Sequence, residues 1–114
     1  MGKIPMQGKT VVITGGTSGI GEIAAERLAQ MGARIVLIAR SKSRGRVTFA
    51  RLNERARGLG HTVHYADLTR ISEMKRVAVE IASHEPRVDV LINNAGAILP
   101  AGDSPKMVSN ALSH

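Results

Sequence analysis

The sequence feature that most constrains the fold is a glycine-rich turn between an apolar strand pattern and a helical pattern. The β-branched run at residues 10–13 predicts a buried strand. It leads directly into residues 14–21, which have the sequence TGGTSGIG. Glycine permits positive φ and lets an anion approach the backbone, while amides at the start of the next helix point at that anion. These residues therefore predict a turn that binds a pyrophosphate.

The residues of this turn are expected to act together on the phosphates. Gly15, Gly19 and Gly21 are expected to have separate roles in the turn, and Thr17 and Ser18 to supply hydroxyls and amides. The alternative is a purely structural glycine turn, but the position between a strand and a helix favours binding. The predicted cofactor-binding residues of the turn are Gly15, Thr17, Ser18, Gly19, Ile20 and Gly21.

Strand and helix patterns alternate along the first 100 residues, which predicts a parallel sheet with right-handed crossovers. We expect an α/β fold: the N-terminal half of a Rossmann-type doubly wound sheet, with about four strands and three helices and the C-terminal half missing. The predicted strands cover residues 10–13, 34–39, 61–66 and 88–92, and the predicted helices residues 19–31, 47–59 and 71–81. The apolar face expected for the first helix consists of Ile20, Ile23, Ala24, Leu28 and Met31.

The residue at the end of the second strand determines which dinucleotide fits. An acid there binds the ribose hydroxyls of NAD, whereas a base accommodates a 2′-phosphate. Arg40 stands at this position, and Lys42 and Arg44 are expected in the loop beyond it. A guanidinium can clamp a phosphate through two hydrogen bonds, so we predict direct contact from Arg40 and a second contact from Arg44. NADP(H) is therefore favoured over NAD(H); the alternative is a solvated basic surface.

Polar residues follow the third and fourth strands, where a parallel sheet opens onto its ligand crevice. Asp67 and Leu68 follow the third strand, and the segment NNAG at 93–96 follows the fourth. Each has a structural alternative. Asp67 could cap the helix expected to start near Thr69, and the two asparagines could join strand ends through their side-chain amides.

Together these segments resemble the classical short-chain dehydrogenase/reductase family, whose TGxxxGxG and NNAG motifs match residues 14–21 and 93–96. The resemblance covers about residues 8–100. The segment AILP at 97–100 and the basic end of the second strand are most similar to the retinol-dehydrogenase-like branch. The resemblance implies that the acid-plus-apolar pair lies against the adenine and that the NNAG segment lines the cofactor site. These residues are Asp67, Leu68, Asn93, Ala95 and Gly96.

The resemblance also implies hydride transfer between nicotinamide C4 and a carbonyl or alcohol carbon. In that family a tyrosine is the general acid or base, with a lysine four residues later and a serine upstream. The single tyrosine here, Tyr65, lies in a predicted strand and is followed at that spacing by Thr69. No catalytic residue is therefore predicted, and the four histidines show no spacing typical of a metal site.

The periodic pattern stops near residue 100, which predicts a nucleotide-binding half-domain at 1–100 and an irregular tail at 101–114. Back-translation of residues 102–114 plus a stop codon, read in the frame one base earlier, permits RRLTEDGFERTFAL, which is similar to the family stretch that follows NNAG. We therefore expect the tail to be a frameshift product of a full-length reductase gene. Sequencing that gene tests the hypothesis.

Composition excludes several classes of protein. With 43% hydrophobic and 22% charged residues the chain is expected to fold, and without cysteine it has no disulfide or thiolate site. No signal peptide or membrane span is predicted, so a cytoplasmic location is expected. The net charge of +7 suits nucleic acid, but 2% aromatic residues and no recognition motif argue against it. The expected partners are a nicotinamide dinucleotide and, in the full-length parent, a small carbonyl or alcohol.

Overall fold

The computed structural model describes residues 5–15 and 19–94, which form a four-stranded parallel sheet with helices on both faces. The strands lie in the order β3-β2-β1-β4, with β1 and β2 in the centre. The predicted α/β fold with four strands and three helices is confirmed. The elements are β1 (Thr10–Thr14), α1 (Gly19–Gln30), β2 (Arg34–Ala39), α2 (Lys42–Arg55), β3 (Thr62–Tyr65), α3 (Ile71–His84) and β4 (Val90–Asn93).

The two central strands are buried on both faces, which explains why their sequences are continuously apolar rather than alternating. One face of the sheet packs against α1 and α2, where Val11, Ile13 and Ile35 meet Leu52. The opposite face packs against α3, where Val12 and Val36 meet residues of that helix. Helices on both faces are the reason that so short a chain can bury a parallel sheet.

The predicted buried face of α1 is partly wrong. Ile20 and Ile23 are 69% and 57% exposed, and Met31 is 37% exposed. The helix instead turns its smallest residues toward the sheet, because only these allow the helix axis to approach the strands closely. The buried residues of α1 are Gly21, Ala24, Ala25 and Ala29.

The larger apolar residues of α1 line a groove between this helix and the edge strand β4. Ile20 and Ile23 lie on its helix side, and Val90 and Ile92 lie on its strand side. Arg27 is the one charged residue in the lining of this groove, among the described part of the chain. The groove is an apolar surface at the open edge of the sheet, where further strands of a longer sheet would continue.

Helix α2 begins at Lys42, five residues before the predicted start, so Lys42 and Arg44 lie in its first turn rather than in a loop. Ser41 is the N-cap, and its hydroxyl accepts a hydrogen bond from the backbone N–H of Arg44 at 3.3 Å. The charged residues of this turn point to solvent and show no apolar periodicity. The cap therefore determines where the helix begins.

His61 lies just before β3, not within the strand as predicted. Its ring forms hydrogen bonds with β2 and with the residue that ends α2. It is 4% exposed. Its Nδ1 accepts a hydrogen bond from Ile35 N–H at 2.9 Å, and its Nε2 donates to the carbonyl oxygen of Ala56 at 3.0 Å. Accepting at Nδ1 requires the neutral imidazole, because a protonated ring has only donors. Burial lowers the pKa of His61 below its ordinary value, with the Ala56 carbonyl opposing that shift and Arg34 adding to it.

We expect the protein to lose stability below about pH 6.5, the ordinary histidine pKa. Since the folded-state pKa of His61 is lowered, its contribution is fully present above the unfolded-state pKa. That contribution is lost as the pH falls through the folded-state value, at about 1.4 kcal/mol per unit of difference between the two pKa values. Urea denaturation at pH 7.5 and pH 5.5 measures this loss.

The His61→Gln variant is the control for the pH effect. The carboxyl groups of Asp67, Glu73, Glu80 and Asp89 have lowered pKa values and stay ionised through this range. The variant should therefore be less stable at pH 7.5 and show a smaller change between the two pH values. An equal change in both proteins would assign the effect to other groups.

Within residues 5–15 and 19–94, no helix is long and apolar enough to cross a membrane.

Candidate functional site

The carboxyl ends of all four strands lie at one edge of the sheet, because every strand pair is parallel. Thr14 is in register with Ile38 of β2 and Asn93 of β4, and Ala39 is in register with Tyr65 of β3. The residues that follow the strands are therefore neighbours. They are Gly15, Arg40, Asp67 and Asn94, and this edge is the candidate nucleotide site.

At Gly15 and Gly19 the glycine turn has the backbone conformation that its sequence predicts. Gly15 and Gly19 have φ values of 65° and 57°, in the left-handed region that favours glycine. The Gly15 N–H donates to the Ile38 carbonyl at 3.3 Å, which ties the turn to β2. Thr17 and Ser18 lie outside the described residues, and Ile20 is exposed at the start of α1.

Gly21 is required for a different reason, since it is buried and has an ordinary helical φ. A Cβ at this position would overlap the Gly15 carbonyl oxygen and lie 2.8 Å from Asn94 Nδ2. The absence of a side chain therefore lets the first turn of α1 pack directly on the turn and on the end of β4. That packing holds the helix N-terminus at the carboxyl edge of the sheet.

Thr14 joins the glycine turn to β4. Its buried hydroxyl donates to Asn93 Oδ1 at 2.8 Å and accepts from the Asn94 N–H at 3.0 Å. The prediction that the two asparagines could join strand ends is supported for Asn93 by this contact. Thr14 was not among the predicted site residues, although the fixed threonine of the TGxxxGxG motif was a signal. Ala95 and Gly96 lie outside the described residues.

Asn94 is a second residue missing from the predicted site. Its Nδ2 is buried, lies next to the glycine turn, and has no hydrogen-bond partner within residues 5–15 and 19–94. An amide donor buried without a partner is costly, so native structures normally supply an acceptor. This donor lies at the carboxyl edge of the sheet, against the first turn of α1.

Arg40 lies at the end of β2 with its side chain 77% exposed, and its Nη2 is 3.9 Å from Asp67 Oδ2. The guanidinium is therefore accessible to an anion at this edge. Arg44 lies in the first turn of α2 and is also exposed. The structure places the two predicted phosphate contacts on either side of the Ser41 cap.

Asp67 is fixed by the turn that follows β3. Its Oδ1 accepts hydrogen bonds from Thr69 N–H at 3.1 Å and from Thr69 Oγ1 at 2.6 Å. These bonds, followed by the charges of Arg40 and Arg70, lower the pKa of Asp67. Helix α3 begins later, at Ile71, so Asp67 caps this turn rather than the helix itself. Leu68 is half-buried and packs against the α3 side of the core.

Two arginines of the basic α2 segment form ion pairs with acidic residues of α1. Arg51 lies 3.4 Å from Glu22 and 3.6 Å from Glu26, and Arg55 lies 3.1 Å from Glu26. These pairs join α2 to α1 on the surface. Part of the positive charge of α2 therefore forms ion pairs with α1. This result agrees in part with the alternative interpretation of the basic segment as a solvated surface.

Tyr65 and His64 have packing roles. The Tyr65 ring lies so close to Gly45 of α2 that a Cβ there would be 2.6 Å from its Cε1 atom. His64 pairs with Glu80 of α3 at 2.5 Å, which lowers the pKa of Glu80. Within the described part of the chain, no group of three or more potential ligands could hold a metal ion.

The family comparison matches nearly the whole chain. The sequence profile described as short chain dehydrogenase matches residues 9–112. The chain belongs to the short-chain dehydrogenase family. This match extends past residue 100, where the sequence-based resemblance was expected to end. The family assignment agrees with the glycine turn, the parallel sheet order and the polar residues at the carboxyl edge.

Curated relatives of this short-chain dehydrogenase chain include two mammalian groups. Dehydrogenase/reductase SDR family member 13 of Bos taurus is 40% identical over 96 residues, which covers 83% of this chain and 25% of the relative. Retinol dehydrogenase 14 of Mus musculus is 37% identical over 101 residues, covering 80% of this chain and 30% of the relative. The predicted likeness to the retinol-dehydrogenase-like branch is confirmed. The chain spans about a quarter to a third of these relatives.

Solved structures show the same fold. The Pseudomonas aeruginosa RhlG/NADP active-site complex has a TM-score of 0.75 and 31% identity, covering 85% of this chain and 38% of that one. Levodione reductase has a TM-score of 0.75 and 30% identity, covering 80% of this chain and 35% of that one. The described sheet therefore corresponds to a part of a larger family fold.

Proposed function

We propose that this chain provides the NADP(H)-binding part of a short-chain dehydrogenase, with the adenosine end of the cofactor held at the carboxyl edge of the sheet. The observation that carries the proposal is the exposed guanidinium of Arg40 at the end of β2. A 2′-phosphate distinguishes NADP from NAD, and a base at this position is what accommodates it.

The residues present fit this cofactor. Gly21 leaves no Cβ between α1 and the glycine turn, so the helix N-terminus lies where a pyrophosphate is stabilised by backbone amides. Arg40 and Arg44 would hold the 2′-phosphate, and Asp67 and Leu68 would border the adenine. The NADP complex among the structural neighbours supports the same choice.

The proposed activity of the full-length parent is oxidation of an alcohol or reduction of a carbonyl. When bound, the nicotinamide supplies or accepts the hydride. The described residues bind and orient the cofactor but provide no proton-transfer group for that reaction. Tyr65 lies in β3 against Gly45, and the residue four positions after it is Thr69 rather than lysine. We therefore propose that this chain is inactive alone.

Titration of the full 114-residue chain with NADPH and with NADH, followed by the fluorescence of the reduced nicotinamide, tests the proposal. We expect NADPH to bind at least about tenfold more tightly, because one charge-assisted contact is worth about 1.5–3 kcal/mol. Adding 2′-AMP should compete with NADPH more strongly than 5′-AMP does. Failure of the chain to bind either dinucleotide would contradict the proposal.

The second candidate is a nucleotide-binding module without catalysis, which the packing of Tyr65 favours. The two candidates differ in what the gene encodes beyond this chain. A downstream tyrosine and lysine at the family spacing, in a frame continuous with residues 1–100, would support the oxidoreductase. A gene without them, coupled with tight NADPH binding, would support the binding module.

A further inference from the structure

The carboxylate of Asp67 faces the same guanidinium that is proposed to bind the 2′-phosphate. Arg40 Nη2 and Asp67 Oδ2 are 3.9 Å apart, at the ends of adjacent parallel strands. The Arg40 side chain is largely exposed, whereas that of Asp67 is only 29% exposed. The acid is therefore the more enclosed member of the pair, and the base is the more exposed one.

Thr69 explains why Asp67 stays in place. Both the backbone N–H and the hydroxyl of Thr69 donate to Asp67 Oδ1, which leaves Oδ2 directed toward Arg40. The lowered pKa of Asp67 means that the carboxylate is ionised at neutral pH. A 2′-phosphate carries about −1.5 to −2 charges at that pH. It must therefore compete with an existing negative charge for Arg40.

We infer that Asp67 is a positioning residue that limits the preference for NADP(H) by holding Arg40 across the adenosine end of the site. This inference rests on the proposed function. In the free chain the pair keeps the guanidinium over the crevice beside β3. A 2′-phosphate has to draw Arg40 away from Asp67, whereas NADH leaves the pair intact. The discrimination between the two cofactors is then a property of the pair rather than of Arg40 alone.

The test compares NADPH and NADH binding to the full chain with Asp67→Asn, Arg40→Gln and both substitutions together. The asparagine keeps an acceptor oxygen for Thr69, removes the negative charge and places an amide NH₂ in place of the second carboxylate oxygen. We expect Asp67→Asn to raise the ratio of the NADH Kd to the NADPH Kd about threefold, as suits an exposed pair. In the Arg40→Gln background the same substitution should change the ratio by less than half as much on a logarithmic scale.

The ratio separates this role from a structural one, because loss of an adenine contact or of folding would weaken both cofactors alike. Glu54→Gln, which makes the same charge change on the exposed surface of α2, is the matched control and should leave the ratio unchanged. An unchanged or lowered ratio in Asp67→Asn overturns the inference, and so does an equal change in both backgrounds. If the unaltered chain binds neither cofactor, the proposed function fails, and the inference falls with it.

Discussion

Replacing Gly21 by alanine is expected to lower the stability of the protein by about 2 kcal/mol and to weaken NADPH binding more than about tenfold. In an ordinary helix this substitution would add about 1 kcal/mol of stability. Here the new Cβ would overlap the Gly15 carbonyl oxygen and lie 3.1 Å from the Gly15 carbonyl carbon, both of them backbone atoms at the end of β1. Overpacking costs about 1–3 kcal/mol, and the upper end applies here because backbone atoms cannot rotate away; the helix propensity of alanine offsets about 1 kcal/mol of that cost. Urea denaturation and NADPH titration measure the two effects.

Gly58→Ala is the matched control for Gly21. Gly58 has a φ of 79°, and a Cβ added there would have no atom within 4 Å. Alanine at this position therefore introduces backbone strain but no steric overlap. That strain costs about 1–2 kcal/mol and lies far from the glycine turn. NADPH binding should be unchanged in this control. A Gly21→Ala protein that is as stable as the original and binds NADPH equally well would show that α1 can move without consequence.

Replacing Arg40 by aspartate is expected to remove the preference for NADPH. The substitution deletes a charge-assisted contact worth about 1.5–3 kcal/mol and places a like charge beside the 2′-phosphate. The NADPH Kd should therefore rise about 10- to 100-fold, while the NADH Kd changes little or falls, since an acid at this position suits the ribose hydroxyls. Titration with both reduced cofactors at one fixed salt concentration measures the change.

Arg57→Asp separates this local effect from the loss of net charge. Arg57 is exposed beyond the carboxyl-terminal end of α2, so it changes the charge of the chain equally while remaining at the other end of that helix. Long-range attraction is screened within about 10 Å at 0.1 M salt, and the control should lose less than about twofold. Equal losses in the two variants would mean that the positive surface as a whole attracts the cofactor.

The sequence predicts those parts of the fold that depend on buried strands and glycines. The bounds of β2 agree with the prediction, since a continuous apolar run between two polar ends leaves little freedom. The start of α2 could not be found in this way, because Lys42 and Arg44 carry no apolar periodicity and the Ser41 cap acts through a single hydrogen bond. Hydrophobic pattern and capping are separate signals, and only the second is present at the start of α2.

The spacing of apolar residues also fails to predict which face of α1 is buried. Ile20 and Ile23 have the spacing of a buried stripe, but the residues that contact the sheet are small. Periodicity indicates which residues are apolar, whereas the distance between helix and sheet decides which of them fit. Similarly, the motif predicts the glycines of the site, but the roles of Thr14 and Asn94 depend on contacts between β1 and the end of β4, 80 residues apart in sequence.

The small residues on the inner face of α1 have a consequence for how this site could change. The size of these side chains sets the distance between α1 and the sheet over most of the length of the helix. The residues are Gly21, Ala24, Ala25 and Ala29. A single added methyl group at Ala25 or Ala29 would tilt the helix and carry its N-terminal amides outward. The depth of the proposed phosphate site would thus be set well away from the glycines, by alanines on the face of α1 that packs on the sheet.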